Sequence, residues 1–265
     1  MSWWQAALLG LIQGIAEFLP ISSSGHLVLG QYFMGLESAG DVTFEVFTHF
    51  GTVLSIITVY RQRIGRILRE AFTFRNFRER YEHNDEYRFV VFIPITIVPT
   101  GIAYVLFQDQ ITGAFERPRL TCGMLVVTGV LLLLTLLRRN PEGRLSPLKS
   151  FVVGCAQAFA MLPGISRSGS TICTALYQGV ENRKAADFSF LMSVPIILGA
   201  ALIDGYDVYQ QGLTATLVPL IVGTLTAYVS GIFAINAMVD LVSRGNLHYF
   251  AFYLFIVGGL GLLFI

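Results

Sequence analysis

Charge is what this sequence has least of. Only 13% of its 265 residues are Asp, Glu, Lys or Arg, against about 25% in an ordinary soluble domain. The scarcity is also uneven. Segments 89–107, 120–137, 213–239 and 247–265 contain no Asp, Glu, Lys or Arg, and each reaches the ~18 residues that read as a spanning helix. Segments 42–60 and 188–203 are shorter or carry polar groups. A soluble domain is thereby excluded, and a polytopic membrane protein is expected. Cysteine is sparse too. Cys122, Cys155 and Cys173 sit in apolar stretches without a Cys-x-x-Cys spacing, so they read as small core residues, with neither a disulfide nor a zinc site expected. No basic residue precedes Arg61, so the charged start of a signal peptide is missing and the first segment is expected to be retained.

The basic residues that are present cluster. Arg61, Arg63, Arg66, Arg69, Arg75, Arg78, Arg80 and Arg88 fall between two apolar segments, Arg138, Arg139, Arg144 and Lys149 in the next basic loop, and Arg183, Lys184 and Arg244 in two later ones. The intervening loops, near 109–119 and 204–212, hold only Arg117 and Arg119. This alternation suits six spans, and the positive-inside rule places the basic loops in the cytoplasm. A net charge of +1 gives no reason to expect nucleic acid, and none is expected as a partner. Arg167 belongs to neither set.

An internal repeat underlies the pattern. Gly10, Gln13, Pro20, Ser22-Ser23-Ser24-Gly25 and Phe44 are matched by Gly154, Gln157, Pro163, Ser166-Arg167-Ser168-Gly169 and Phe188, with one gap between Gln and Pro. Three apparent spans follow each copy, so the copies have opposite orientations in the bilayer, with broken helices meeting near its midplane. The expected fold is all-α: a single membrane domain, 1–265, of six transmembrane helices plus two re-entrant helical hairpins. Repeat 1 covers about 1–140 with its hairpin at 3–36, and repeat 2 covers about 146–265 with its hairpin at 148–181. In the first half-helix Gly10, Gln13, Gly14 and Glu17 share one face, opposite Leu8, Leu11, Ile12, Ile15 and Phe18, and Pro20 ends the helix. Irregular backbone at membrane depth must be buried in protein or line a wet cavity, so the two breaks mark a site.

The first break supplies a carboxylate (Glu17), three hydroxyls (Ser22, Ser23, Ser24), a glycine that admits close approach (Gly25) and an imidazole (His26), the parts of an activated-nucleophile or general-acid site. The plainer alternatives are a carboxylate at a helix end and a serine cap with an exposed histidine. The second break, Pro163-Gly164-Ile165-Ser166-Arg167-Ser168-Gly169-Ser170-Thr171, holds a guanidinium among hydroxyls and helix-start N–H groups, which suits a phosphate. The alternative is an arginine paired with Glu17. The second copy has no acid matching Glu17, so one half reads as acid–base machinery and the other as an anion clamp.

Gln13-x-x-x-Glu17 followed by Pro20-x-Ser22-Ser23-Ser24-Gly25-His26, with Pro163-Gly164-x-Ser166-Arg167-Ser168-Gly169-x-Thr171, resembles the undecaprenyl pyrophosphate phosphatase family of the bacitracin-resistance type, across essentially the whole chain. The resemblance implies hydrolysis of undecaprenyl diphosphate to undecaprenyl phosphate and inorganic phosphate, which recycles the lipid carrier for cell-wall synthesis. It implies a catalytic set of Glu17, Ser23, His26 and Arg167. Ser22, Ser24, Gly25, Ser166, Ser168, Gly169 and Thr171 would bind the phosphates. A divalent cation, Mg²⁺ or Ca²⁺, would lie at Glu17 with Gln13 beside it. It also implies the bacterial inner membrane, with the site opening to the external side. Partners would be the polyprenyl diphosphate and membrane lipid; a homodimer is compatible with the sequence without being dictated by it. Gln13 stands where the family allows Glu or Gln, which leaves Glu17 as the principal carboxylate. His49 departs from more familiar members; it reads as an interior polar residue facing the repeat interface, without a catalytic role, and Glu45 as lining the cavity mouth. Attack by Ser23, activated by His26 or Glu17, and direct attack by water are both open. The rival function is a carrier or flippase of polyprenyl phosphate lipids, which an inverted repeat also suits but which has no need of a nucleophile.

Overall fold

The computed structural model describes residues 1–36, 42–73, 77–138, 143–211 and 217–265. Of the positions discussed above, Arg75, Arg139, Gly212 and the first four residues of segment 213–239 lie outside them. The described chain is helical: α1 Trp3–Ala16, α2 Ser23–Phe33, α3 Val42–Ala71, α4 Phe77–His83, α5 Asp85–Phe115, α6 Pro118–Leu133, α7 Pro147–Phe159, α8 Arg167–Tyr177, α9 Asn182–Gln211, α10 Leu217–Ser243 and α11 Tyr249–Phe264. No strand occurs among the described residues. Local chemistry sets the ends. Ser2 and Gln5 form a capping box at α1, Ser146 caps α7 ahead of Pro147, and Asn84 caps α5.

Among the described residues, five helices are long and apolar enough to cross a membrane: Thr43–Ala71, Asp85–Phe115, Pro118–Leu137, Asn182–Ile203 and Leu217–Ser243. α11 is as apolar but has 16 residues. Large apolar side chains such as Trp3, Phe33, Val105, Phe233 and Leu263 face outward, as a lipid-facing surface requires. The chain is a multi-pass membrane protein. α1 and α7 have 14 and 13 residues, about 20 Å each at 1.5 Å per residue, short of a hydrocarbon core about 30 Å thick.

The short helices are wedged against long ones. α1 lies along α10 and α7 along α5, each through glycine. A Cβ on Gly10 would stand 2.3 Å from the Gly223 carbonyl oxygen, one on Gly14 2.4 Å from that of Ala227, and one on Gly154 2.7 Å from that of Thr96. The face of α1 holding Gly10 and Gly14 therefore meets helix backbone along most of its length, and the polar part of that face is confined to Gln13 and Glu17. Phe18 is buried with its edge on Phe190, ring centres 5.6 Å apart. It leaves the outward set of Leu8, Leu11 and Ile15, lying two residues past the end of α1 at Ala16.

Two sequence readings need correction. Arg61, Arg63, Arg66 and Arg69 lie on the last turns of α3, which runs past its apolar stretch. Arg63 pairs with Asp187 of α9, which also accepts from the Tyr60 hydroxyl at 2.8 Å, and its guanidinium lies 4.6 Å above the Phe89 ring. Cys155 is exposed, unlike Cys122 and Cys173, because α7 buries the face carrying Ser150, Val153, Gly154 and Gln157.

Candidate active site

The two helix breaks are built on one plan. Ser22 caps α2, its Oγ accepting from the Gly25 N–H at 3.2 Å, and the Ser22 and Ser24 hydroxyls are 3.2 Å apart. Ser166 caps α8, accepting from the Gly169 N–H at 3.0 Å, with the Ser166 and Ser168 hydroxyls again 3.2 Å apart. The breaks also press on each other. A Cβ on Gly25 would lie 3.2 Å from Gly164 Cα, and one on Gly169 would lie 3.2 Å from Pro20 Cβ. Ser168 Oγ donates to the Leu19 carbonyl at 3.1 Å, tying one break to the other.

Backbone geometry at both breaks is unusual. Gly164 has φ +92°, and a Cβ there would be 2.3 Å from the Thr121 carbonyl oxygen, so only glycine fits. The Thr128 hydroxyl braces this turn, 2.9 Å from the Gly164 carbonyl and accepting from the Ser166 N–H at 3.1 Å. Ser22 has φ +71°, a conformation that costs a non-glycine residue on the order of 1–3 kcal/mol and persists where its surroundings enforce it. Here the Gly25 N–H and the His26 ring both bond to Ser22 and hold the turn.

Between the paired serines stand Ser23 in one break and Arg167 in the other, and both reach the same carboxylate. Ser23 Oγ donates to Glu17 Oε2 at 2.6 Å, Arg167 Nη2 donates to Oε1 at 2.5 Å, and Gln13 Nε2 donates to Oε2 at 3.1 Å. Glu17 is only 7% exposed. An unpaired carboxylate there would cost several kcal/mol, which the guanidinium and two neutral donors offset. Glu17, Ser22, Ser23, Ser24, Ser166 and Arg167 line one cavity of about 290 Å³, with Glu45 at its wall. Arg167 also borders an adjoining cavity of about 180 Å³ that reaches Thr100, Gln157 and Ser193.

The other sequence candidates support this arrangement from outside the cavity. Thr171 is buried, its hydroxyl 2.6 Å from Ser189 Oγ. Ser168 is the tie to Leu19, and Gly25 and Gly169 are the points of close approach. His26 does not line the cavity. Its Nδ1 lies 2.8 Å from the Ser22 carbonyl and so carries the proton, which leaves Nε2 to accept from the Tyr253 hydroxyl at 2.7 Å. Its ring stacks on Tyr253 at an interplanar angle of 10°. Of the two bases considered for Ser23, the structure therefore places Glu17 on the hydroxyl and His26 on Tyr253.

One reading is extended and one residue was missed. His49 lines both cavities, its Nε2 4.0 Å from Glu17 Oε2 and its Nδ1 donating to the Glu45 carbonyl at 2.8 Å. It belongs to the wall of the site, beyond the role of an interior polar residue. The signal was present, since Glu45 and His49 stand four apart on one helical face. Tyr253, inside an otherwise apolar helix, gave none.

A hard divalent cation takes oxygen ligands, and Mg²⁺ in particular uses one or two carboxylates and completes its shell with water and substrate phosphate. Glu17 and Glu45 border the cavity, and the buried Gln13 Oε1 has no hydrogen-bond partner among the described residues. No three His, Cys, Asp or Glu side chains gather into a metal cluster among the described residues. The donor set is oxygen-rich and partial, which fits an ion shared with a phosphate.

Fold and cavity together define an all-helical, multi-pass membrane protein whose charged site lies where two broken helices meet. The family model for bacitracin resistance protein BacA matches residues 6–260, and the chain belongs to that family. It is similar to the undecaprenyl-diphosphatase of Salinibacter ruber, 56% identical over 267 residues and 99% of each chain. It is also similar to that of Bacteroides fragilis (strain ATCC 25285), 41% identical over 263 residues, 97% of this chain and 96% of the relative. The undecaprenyl-diphosphatase of Halothermothrix orenii is 39% identical over 262 residues, with 97% and 96% covered.

Proposed function

We propose that this chain is an undecaprenyl-diphosphatase, hydrolysing undecaprenyl diphosphate to undecaprenyl phosphate and inorganic phosphate. Family membership and the names of its relatives support the activity. The observation that carries it is the convergence of Ser23, Glu17 and Arg167, a hydroxyl and a guanidinium sharing one buried carboxylate. A carrier needs the cation and has no use for the hydroxyl–carboxylate pair.

Phosphoryl transfer asks the protein mainly for positioning and for charge against the phosphoryl oxygens. The diphosphate enters between the breaks, where the starts of α2 and α8 present N–H groups without intrahelical partners. Arg167 has five N–H donors, and those not turned to Glu17 take phosphate oxygens. Drawing the guanidinium toward phosphate weakens its hold on Oε1 and leaves the carboxylate more basic, so substrate binding prepares Glu17 to take the Ser23 proton. Ser23 Oγ bonds to the terminal phosphorus, the bond to the bridging oxygen breaks, and undecaprenyl phosphate leaves. Water then attacks the phosphoserine, Glu17 returns its proton to Ser23 Oγ, and inorganic phosphate carries away both water protons. Ser22, Ser24, Ser166, Ser168, Gly25, Gly169 and Thr171 shape the phosphate cradle, and His26 braces the Ser22 turn. Glu17 and Gln13 would hold Mg²⁺ or Ca²⁺, which supplies positive charge against the phosphates when bound.

The layout proposed with this function is one membrane domain of six spans and two re-entrant hairpins, α1–α2 and α7–α8, related as an inverted repeat. The matching construction of the breaks and the short α1 and α7 support it, and α11 is taken as the sixth span. Membership of the family supports a bacterial inner membrane, and the charge alternation supports a site that opens outward. The test is phosphate release by the purified protein from undecaprenyl diphosphate in detergent. Wild type should release phosphate and Ser23→Ala should not, and a slow variant should trap labelled phosphate on Ser23. Full turnover by Ser23→Ala would remove the covalent route; no release by folded wild type would remove the phosphatase.

A further inference from the structure

We infer that Tyr253 is a positioning residue for the nucleophile: its hydroxyl fixes the His26 ring, the ring fixes the Ser22 turn, and the turn keeps Ser23 on Glu17. This rests on the phosphatase reading above and adds to it a residue that the motifs do not contain.

The contacts run through the His26 tautomer. Tyr253 Oη lies 2.7 Å from His26 Nε2, and the two rings are stacked at an interplanar angle of 10°. With the hydroxyl donating to Nε2, the ring proton stays on Nδ1, which donates to the Ser22 carbonyl at 2.8 Å. The opposite tautomer would turn the Nδ1 lone pair toward a carbonyl oxygen that can only accept. The His26 N–H donates to the same carbonyl at 3.2 Å, so one residue grips Ser22 twice while Ser22 holds φ +71°. Ser23 follows directly, its Oγ 2.6 Å from Glu17 Oε2. A turn that relaxes out of this conformation re-aims the Ser23 side chain, and a displacement of about 1 Å at a reacting atom can cost about a hundredfold in rate. Packing leaves Tyr253 little freedom. α11 lies along α6, where a Cβ on Gly258 would stand 2.7 Å from the Cys122 carbonyl oxygen. α6 in turn reaches α2 through Leu125, whose Cδ2 would lie 3.0 Å from a Cβ on Gly25. Tyr249 and Tyr253 are the only side chains of α11 with a hydrogen-bonding group. Tyr253 lines neither of the cavities that Arg167 borders, so it acts through His26 and not on substrate.

The test uses the full-length protein in detergent with its histidine rings labelled with ¹⁵N, read by magnetic resonance and by phosphate release from undecaprenyl diphosphate. Wild type should give a His26 signal, identified by its loss in His26→Gln, with Nδ1 protonated and Nε2 accepting a hydrogen bond. In Tyr253→Phe the Nε2 resonance should shift as that bond is lost. There kcat should fall about tenfold, the worth of one such bond, while KM stays within about twofold of wild type because Tyr253 does not touch substrate. Phe252→Leu, an exposed neighbour on α11, should keep wild-type kinetics. Adding Tyr253→Phe to His26→Gln should cost nothing further, because the two residues act along one line. A wild-type ring protonated at Nε2 overturns the inference, as do full kcat in Tyr253→Phe or losses that add in the double variant; the wild-type spectrum decides even if a variant fails to fold. Any of these results with phosphate release by wild type discards the positioning role and keeps the phosphatase, whereas no release by folded wild type discards both.

Discussion

Removing either member of the Glu17–Arg167 pair strands the other as a charge without its counter-ion inside the helical bundle. The side chains are 7% and 17% exposed and 2.5 Å apart. Truncating one partner of such a pair costs roughly 3–5 kcal/mol. The cavity of about 290 Å³ beside them lets water reach the stranded group, which places the expected cost at the lower end, about 3 kcal/mol. Glu17→Gln and Arg167→Gln keep much of the shape while removing charge. Each should lower the unfolding midpoint in detergent by an amount corresponding to that cost. The double variant strands nothing, so its loss should fall short of the sum of the single losses by about 2 kcal/mol, within the range of coupling energies for residues in contact. Activity should behave differently. The carboxylate takes the Ser23 proton and the guanidinium holds phosphate, so all three variants should lose phosphate release, by about a thousandfold or more for Arg167→Gln. Recovery of stability without recovery of activity is the signature. Single variants within ~1 kcal/mol of wild type, or strictly additive losses, would refute a buried pair that resting protein uses for stability.

Other expectations follow from the same geometry. Gly164→Ala must place a methyl 2.3 Å from the Thr121 carbonyl oxygen at φ +92°, and should lower stability by at least about 2 kcal/mol together with phosphate release; a wild-type unfolding midpoint would contradict this. Asp187→Ala leaves Arg63 without its carboxylate at a position where the two side chains are 13% and 19% exposed, and should cost about 3 kcal/mol in detergent unfolding. A shift under ~1 kcal/mol would mean that water supports Arg63 as well as Asp187 does.

The parts of the candidate site were legible in the sequence because they are local. Pro20 and Pro163 follow the ends of the half-helices by four residues, Ser22 and Ser166 cap the helices that come next, and Glu17 lies five positions before Ser22. Each of these signals acts within a few residues, through a missing N–H, a side-chain cap or a helical repeat. The uncharged stretches were equally plain, and they became α5, α6, α10 and α11. Helix length was less legible where charge continued the helix: α3 carries four arginines past its apolar part because Asp187, 124 residues away, is there to meet Arg63.

Only the tertiary structure decided which partners meet. Glu17 and Arg167 are 150 residues apart in sequence, and nothing local distinguishes an arginine that clamps phosphate from one that neutralises a carboxylate. The structure shows the second, and the proposed mechanism uses both in turn. His26 stands three positions after Ser23 and reads as one of its two candidate bases, yet Tyr253 on α11, 227 residues away, takes its free nitrogen. His49 reads from sequence as an interior polar residue at the repeat interface, a departure from more familiar members, and the packing of α3 beside α1 brings it to Glu17. Sequence alone determines where a helix stops and what chemistry waits at its end. Which helix end faces which is set by side-chain packing between distant segments, and here by glycines at Gly10, Gly14 and Gly154 that let short helices lie close enough for two breaks to become one site.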